Sequence, residues 1–175
     1  MNCKPTKAKA HYIINSQVGI EKGQIADTTI KGLVVHPDDR GHFAEIFRTG
    51  EAVCAGFEVK QSSLTMTRPG VIKAFHFHCE QDDIFVPVKG IVRIALLDFR
   101  EGSPTYGIAN SVFAGELYLK AVRIPKGVAH GYEVLGNDVM TMVYYTNQHY
   151  NPKDEFRQAH DDPEIGFVWW GVHHR

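Results

Sequence analysis

Two histidines and a carboxylate stand close together in the stretch Gly70 to Gly90, GVIKAFHFHCEQDDIFVPVKG, and a third histidine closes Pro125-Lys126-Gly127-Val128-Ala129-His130. His76 and His78 are two apart, so on a β-strand both side chains point to one face. Asp83 follows after a short polar turn. Three imidazoles and one carboxylate are a donor set suited to a divalent Zn, Mn, Ni or Fe, with positions left open for a substrate. Taken singly, each residue has a plainer reading. The chain carries ten histidines, and Asp83 within Gln81-Asp82-Asp83 reads as a turn residue between two apolar runs. As a set, His76, His78, Asp83 and His130 are the candidate ligands of one shared site. Cys79, directly after His78, would face away from it on a continuing strand.

Such a site needs strands to hold it, and the chain supplies them nearly throughout. Lys31 to Val35, His42 to Phe47, Phe57 to Met66, Val71 to Phe77, Ile84 to Val88, Ile91 to Phe99, Glu116 to Ile124 and Val139 to Thr146 are rich in β-branched and aromatic residues. Turn clusters divide them at His36 to Gly41, Arg68-Pro69-Gly70, Lys89-Gly90, Glu101 to Pro104 and Gly136-Asn137-Asp138. Many short strands at this spacing predict an all-β sandwich or barrel. Pro87 has no N–H to give to a ladder, so its strand should lie at an edge or carry a bulge. Helical periodicity is poor, and Lys153 to Gln158 reads as a turn or one short helix.

At 175 residues the chain suits one domain, and no Ser/Gly/Pro-rich linker divides it. A formal net charge of −1 with scattered Lys and Arg leaves no footprint for nucleic acid. Lys4, Lys7 and Lys9 are not followed by a long apolar run, so neither a signal peptide nor a membrane span is expected. Residues 1–29 read as a solvated tail and candidate dimer arm, and 30–175 as the folded domain. Cys3, Cys54 and Cys79 are odd in number and lack C-x-x-C spacing, which speaks for a reducing cytoplasm rather than a disulfide framework.

The H-x-H, acid and later P-x-G-x-x-H elements resemble, in order and spacing, the metal-site motifs of cupins. Within that superfamily, Asp39-Arg40-Gly41-His42-Phe43-Ala44-Glu45-Ile46-Phe47 resembles the D-x-R-G-x-F-x-E-x-F motif of the 3,5-epimerases acting on dTDP-4-keto-6-deoxyglucose. The resemblance runs on collinearly through Gln61, Val71 to His76, Arg100 to Gly107, Ile124 to Gly131 and Tyr150-Asn151-Pro152. It closes at Asp161-Asp162-Pro163, Ile165-Gly166 and Trp169. It implies a single-domain double-stranded β-helix, the cupin jelly roll, forming a homodimer. It also implies a small-molecule nucleotide sugar as ligand and epimerisation beside a 4-keto group. That reaction needs a base, a positive group to hold the enolate oxygen, and an acid on the opposite face. The resemblance gives the base to His76 and the acid to Tyr144. It gives substrate contacts to Arg40, Phe43, Glu45, Gln61, His130 and Tyr150, with Lys73 where the family has an arginine.

Three departures bear on the chemistry. The family's enolate-stabilising lysine falls on Asp83, its glutamine two residues after the base is His78, and the aspartate that orients its base, in a C-terminal S-x-K-D segment, has no evident counterpart before Arg175. An acid in place of the lysine would repel a developing oxyanion, whereas a divalent cation would hold it. If His76 binds that cation it cannot be the base, and Tyr144 or Glu45 would then move protons. Three functions follow as alternatives: a nucleotide-sugar epimerase or isomerase, with or without metal assistance; a metal-dependent cupin of dioxygenase or sugar-phosphate isomerase type; and a catalytically silent sugar-binding cupin.

Overall fold

The computed structural model describes residues 2–14 and 23–170. Among the described residues, thirteen strands and one 3-10 turn follow one another. They are β1 (Ala10–Ile14), β2 (Thr29–Gly32), β3 (Val35–Asp38), β4 (Gly41–Ala44), β5 (Gln61–Thr67), β6 (Ile72–Phe77) and β7 (Asp83–Lys89). Then come β8 (Ile91–Asp98), β9 (Ile108–Gly115), β10 (Lys120–Ile124), β11 (Val128–Leu135), β12 (Met140–Thr146) and β13 (Phe156–Arg157). One sheet has the order β1-β9-β8-β11-β6-β13 and a second the order β2-β10-β7-β12-β5. The two face each other as a jelly-roll barrel.

The alternation of side chains across each strand makes three apolar layers. Between the sheets lie Phe85, Ile94, Leu96, Val112, Val122, Ile124, Tyr132, Val134, Met140 and Met142. Outside the six-stranded sheet, Phe75, Phe77, Ala95 and Leu97 are covered by Ile165, Phe167 and Trp169 of the C-terminal segment. Outside the five-stranded sheet, Ile84, Val86 and Ala121 are covered by Val53, Cys54 and Phe57. A strand buried on both faces reads as a continuous apolar run, which is why β7 and β8 stand out in the sequence.

Several expectations change. The strand holding Pro87 is central, between β10 and β12, and not an edge. Proline is tolerated there because the ladder to β10 ends at Phe85 and the ladder to β12 slips between Lys89 and Pro87, which makes the expected bulge. Residues 2–14 are not a solvated tail. Lys4 N donates to Phe99 O, Ala8 N to Ile165 O and Lys9 N to Gly107 O, and β1 pairs in parallel with β9; residues 15–22 of that segment lie outside the described residues. Lys153 to Gln158 forms a turn and β13, with no helix. The segment His36 to Gly41 is half strand, with its turn at Asp39-Arg40.

The stretch Arg100 to Thr105, part of the family-like motif, turns out to be a structural knot. Buried Asp98 accepts bonds from Arg100 Nε at 2.8 Å, Ser103 Oγ at 2.6 Å and Thr105 Oγ1 at 2.6 Å. Burial pushes the Asp98 carboxyl up, but those donors outweigh it and hold it below the usual carboxylate range. Removing one partner of a buried ion pair is costly, so Asp98→Asn should lose on the order of 3 kcal/mol at neutral pH. The folded pKa lies below the unfolded one, so the aspartate's contribution is complete above about pH 4 and fades as pH falls through the folded value. Urea unfolding of both proteins should give a gap at pH 7 that narrows toward roughly pH 3.

Candidate active site

One large cavity of about 640 Å³ opens at the end of the barrel where β6, β7 and β12 meet the loop before β13. Its lining includes His76, His78, Asp83, Lys73, Gln61, Tyr144 and Tyr150. The size suits a small-molecule ligand. Asp83 begins β7 and points inward with Phe85. His130, on β11, is 2% exposed and packs edge-on to Phe85, its ring centroid 4.0 Å from that of His76.

A register shift brings the two histidine strands together. β11 pairs with β6 at His130 opposite His76 and at Tyr132 opposite Lys73, with an irregularity between. Gly131 sits at that irregularity, where a Cβ would overlap the Cβ of Ala74. Only glycine permits so close an approach, which gives a physical reason for the glycine directly after His130. The donor atoms of His76, His78, Asp83 and His130 all lie within 4.8 Å of one another.

The hydrogen bonds around this cluster fix its protons. His78 Nδ1 lies 2.5 Å from the carbonyl of Asp154, and His130 Nδ1 lies 2.9 Å from the carbonyl of Val128. A carbonyl only accepts, so each Nδ1 carries hydrogen and each Nε2 of a neutral ring offers a lone pair. Both Nε2 atoms turn to Asp83 Oδ2, at 3.7 Å for His78 and 3.1 Å for His130. His130 Nε2 is buried and makes no hydrogen bond, despite that approach. The other carboxylate oxygen is taken by Gln81 Nε2 at 2.7 Å. With both rings neutral, three acceptors converge here, an arrangement that a metal ion or a proton on one ring would relieve. His76 differs: burial first, then His130, His78 and Arg157, hold its imidazole well below the usual histidine range, so it is neutral at pH 7.

Asp154, which the sequence reading passed over, organises this end of β6. Its carboxylate accepts from the backbone N–H of Cys79 at 2.8 Å and of Glu80 at 3.1 Å, while its own carbonyl orients His78. The only trace in the sequence is a polar residue two positions after Pro152. Tyr144 shares a face with buried Met140 and Met142 and meets Phe85 at 5.9 Å between ring centroids. Gln61 Oε1 accepts from the N–H of Tyr150 at 3.1 Å. Three expected substrate contacts lie elsewhere. Arg40, Phe43 and Glu45 sit on or just after the β3–β4 hairpin: Arg40 pairs with Asp38, Phe43 is 63% exposed, and Glu45 bonds Arg48 beside a separate recess.

Comparison with known proteins gives the family of the chain. The model of the dTDP-4-dehydrorhamnose 3,5-epimerase family matches residues 22–175. The chain belongs to that family. It is 45% identical over 142 residues to the spore coat polysaccharide biosynthesis protein SpsL of Bacillus subtilis, covering 80% of this chain and 93% of that protein. It is 36% identical over 150 residues to the probable low-salt glycan biosynthesis epimerase Agl13 of Haloferax volcanii, covering 83% and 94%. Among solved structures, the dTDP-6-deoxy-D-glucose-3,5-epimerase RmlC of Legionella pneumophila, in complex with dTDP-4-keto-L-rhamnose, superposes with a TM-score of 0.78 at 26% identity, covering 91% of this chain and 84% of that one. The protein is a sugar epimerase of the cupin fold, and no helix among its described residues is long and apolar enough to cross a membrane.

Proposed function

We propose that the protein epimerises a 4-keto-6-deoxy nucleotide sugar by removing the proton beside the ketone, with His76 as base and Tyr144 as the acid on the opposite face. Neutral, half-buried His76 lines the cavity, as a base must. Tyr144 stands on β12 of the facing sheet, as return of a proton to the other face requires. Gln61, Lys73 and Tyr150 line the same space and would contact the substrate. The ligand named in the Legionella structure supports the substrate class.

The missing positive group is the remaining requirement. The observation that carries our reading is the convergence of His78 Nε2, His130 Nε2 and Asp83 Oδ2 in one place, with His130 Nε2 buried and making no hydrogen bond. These three residues, with His76 adjacent, would hold a divalent metal such as Zn, Mn, Ni or Fe. A cation there supplies Lewis-acid stabilisation of the enolate oxygen, the task for which relatives use a lysine. Three ligands suffice for such a site, which leaves His76 free to take the proton.

A homodimer is part of this reading. The β3–β4 hairpin joins neither large sheet, and a lone two-stranded ribbon is marginal in water. Leu64 and Met66, 62% and 64% exposed on edge strand β5, leave an apolar open edge. A second copy would cover both and would bring Arg40, Phe43 and Glu45 toward a cavity they cannot reach in their own chain. Light scattering at micromolar concentration should give twice the chain mass, and a monomer would overturn this.

The reaction is tested by incubating the protein with dTDP-4-keto-6-deoxyglucose in deuterated water. Deuterium should appear at C3, C5 or both. No uptake across several 4-keto nucleotide sugars, with each metal supplied, would sink the proposal. Elemental analysis of protein purified without a histidine tag reads the metal separately.

A further inference from the structure

The cavity must also hold the charged part of its substrate, and the residues able to do so are few. Among the described residues that line it, the cations are Lys73 and Arg157. Arg157 is not part of any motif singled out above. It belongs to β13, which pairs with β6 so that Arg157 stands opposite His76. The segment is tied down on both sides: Gln158 N donates to Phe75 O at 3.0 Å and Phe75 N to Gln158 O at 2.7 Å. Phe156 stacks on Phe77 on the outer face, with ring centroids 5.2 Å apart. Successive residues of a strand face opposite ways, so packing Phe156 outward turns Arg157 toward the cavity.

We infer that Arg157 takes the diphosphate of the substrate, joining Lys73, which stands where the family has an arginine; the assignment rests on the nucleotide-sugar reading above. The alternative for a cation beside the base is to hold the enolate oxygen, but its position argues against that. The Arg157 side chain is 79% exposed, where water screens a charge and weakens its hold on a transient oxyanion. A diphosphate is fully ionised, hydrated and carried at the mouth, and a guanidinium fork matches its oxygens. Arg157 Nη2 is engaged by Glu155, which holds the side chain in place before ligand arrives. An exposed pair of this kind contributes little, and the guanidinium has further N–H groups to offer. Lys73 lies on the same side of the cavity because the irregularity at Gly131 sets it opposite inward-facing Tyr132.

Calorimetric titration with thymidine diphosphate, and separately with thymidine, tests the assignment. The natural protein should bind the diphosphate more tightly than the nucleoside, and less so as salt rises. Arg157→Gln should weaken the diphosphate at least tenfold, leave thymidine unchanged, and keep the melting temperature, since the side chain is exposed. Arg157→Lys should fall between, having the charge without the fork, and Lys73→Gln should also lose diphosphate affinity. Diphosphate binding that Arg157→Gln leaves intact removes this assignment alone. Equal losses for diphosphate and thymidine also overturn it, as the residue would then be structural. If the natural protein binds none of thymidine, uridine and guanosine diphosphates, the nucleotide-sugar reading falls and takes this one with it.

Discussion

Asp83→Asn is expected to abolish metal binding at the proposed site and, with metal supplied, to lower thermal stability relative to the natural protein. The carboxylate faces the Nε2 atoms of both His78 and His130, and it is itself held by Gln81. A ligand bound only by the folded state stabilises it by RT ln(1 + [L]/Kd), about 2.7 kcal/mol at a hundredfold excess over Kd. For a chain of this size that corresponds to a drop of roughly 5–10 °C. His78→Gln should behave alike, though the loss of its bond to Asp154 adds a metal-independent part. The sign of the effect is informative. Without metal, Asp83 sets an acceptor against two acceptors, and an asparagine amide could donate to one of them. In chelator, therefore, Asp83→Asn should match or exceed the natural protein in stability. A natural protein that holds no metal and does not respond to added Zn, Mn, Ni or Fe would make these residues polar lining only.

Tyr144→Phe is expected to separate proton removal from inversion. The ring packs against Phe85 beside buried Met142, and phenylalanine keeps that packing, so the fold should persist. Losing a positioned acid typically costs 10²–10⁴-fold in the step it serves, a generic range of about that order. Deuterium should still exchange into substrate through His76, while the rate of the stereochemical change, followed by NMR, should fall by roughly that factor. Inversion at the natural rate would remove Tyr144 from the mechanism. Loss of both exchange and inversion would mean that the hydroxyl serves the first step as well.

Much of the architecture was legible because burial writes itself into periodicity. β6, β7, β8 and β12 are runs of β-branched and aromatic residues that few other structures could use. β9 and β11 were missed for the opposite reason. Polar groups on them are buried and satisfied by distant parts of the chain: on β9, Asn110 Oδ1 accepts from Ile25 N at 2.8 Å and Ser111 from Arg93 Nε at 2.9 Å, and on β11 the Tyr132 hydroxyl meets that of Thr67 at 2.9 Å. Nothing local distinguishes such residues from those of a loop. The stretch from Arg100 to Thr105 shows the same gap from the other side, since its residue types match a family motif without saying why, while its bonds close on Asp98.

The sequence by itself determined the fold class, the family, and which residue types stand where His76, His78, Asp83, His130 and Tyr144 stand. These depend on order and on period-two alternation, which are properties of the chain. The tertiary structure decided which lone pairs meet, that Asp154 orients His78, that Arg157 faces the cavity, and that Arg40, Phe43 and Glu45 do not reach it. Each of these rests on contacts between segments far apart in the chain: a carbonyl near residue 154 against a ring at 78, and a two-residue strand docked on β6. A hydrogen bond depends on direction and on tenths of an ångström, and those are set only when the sheets close.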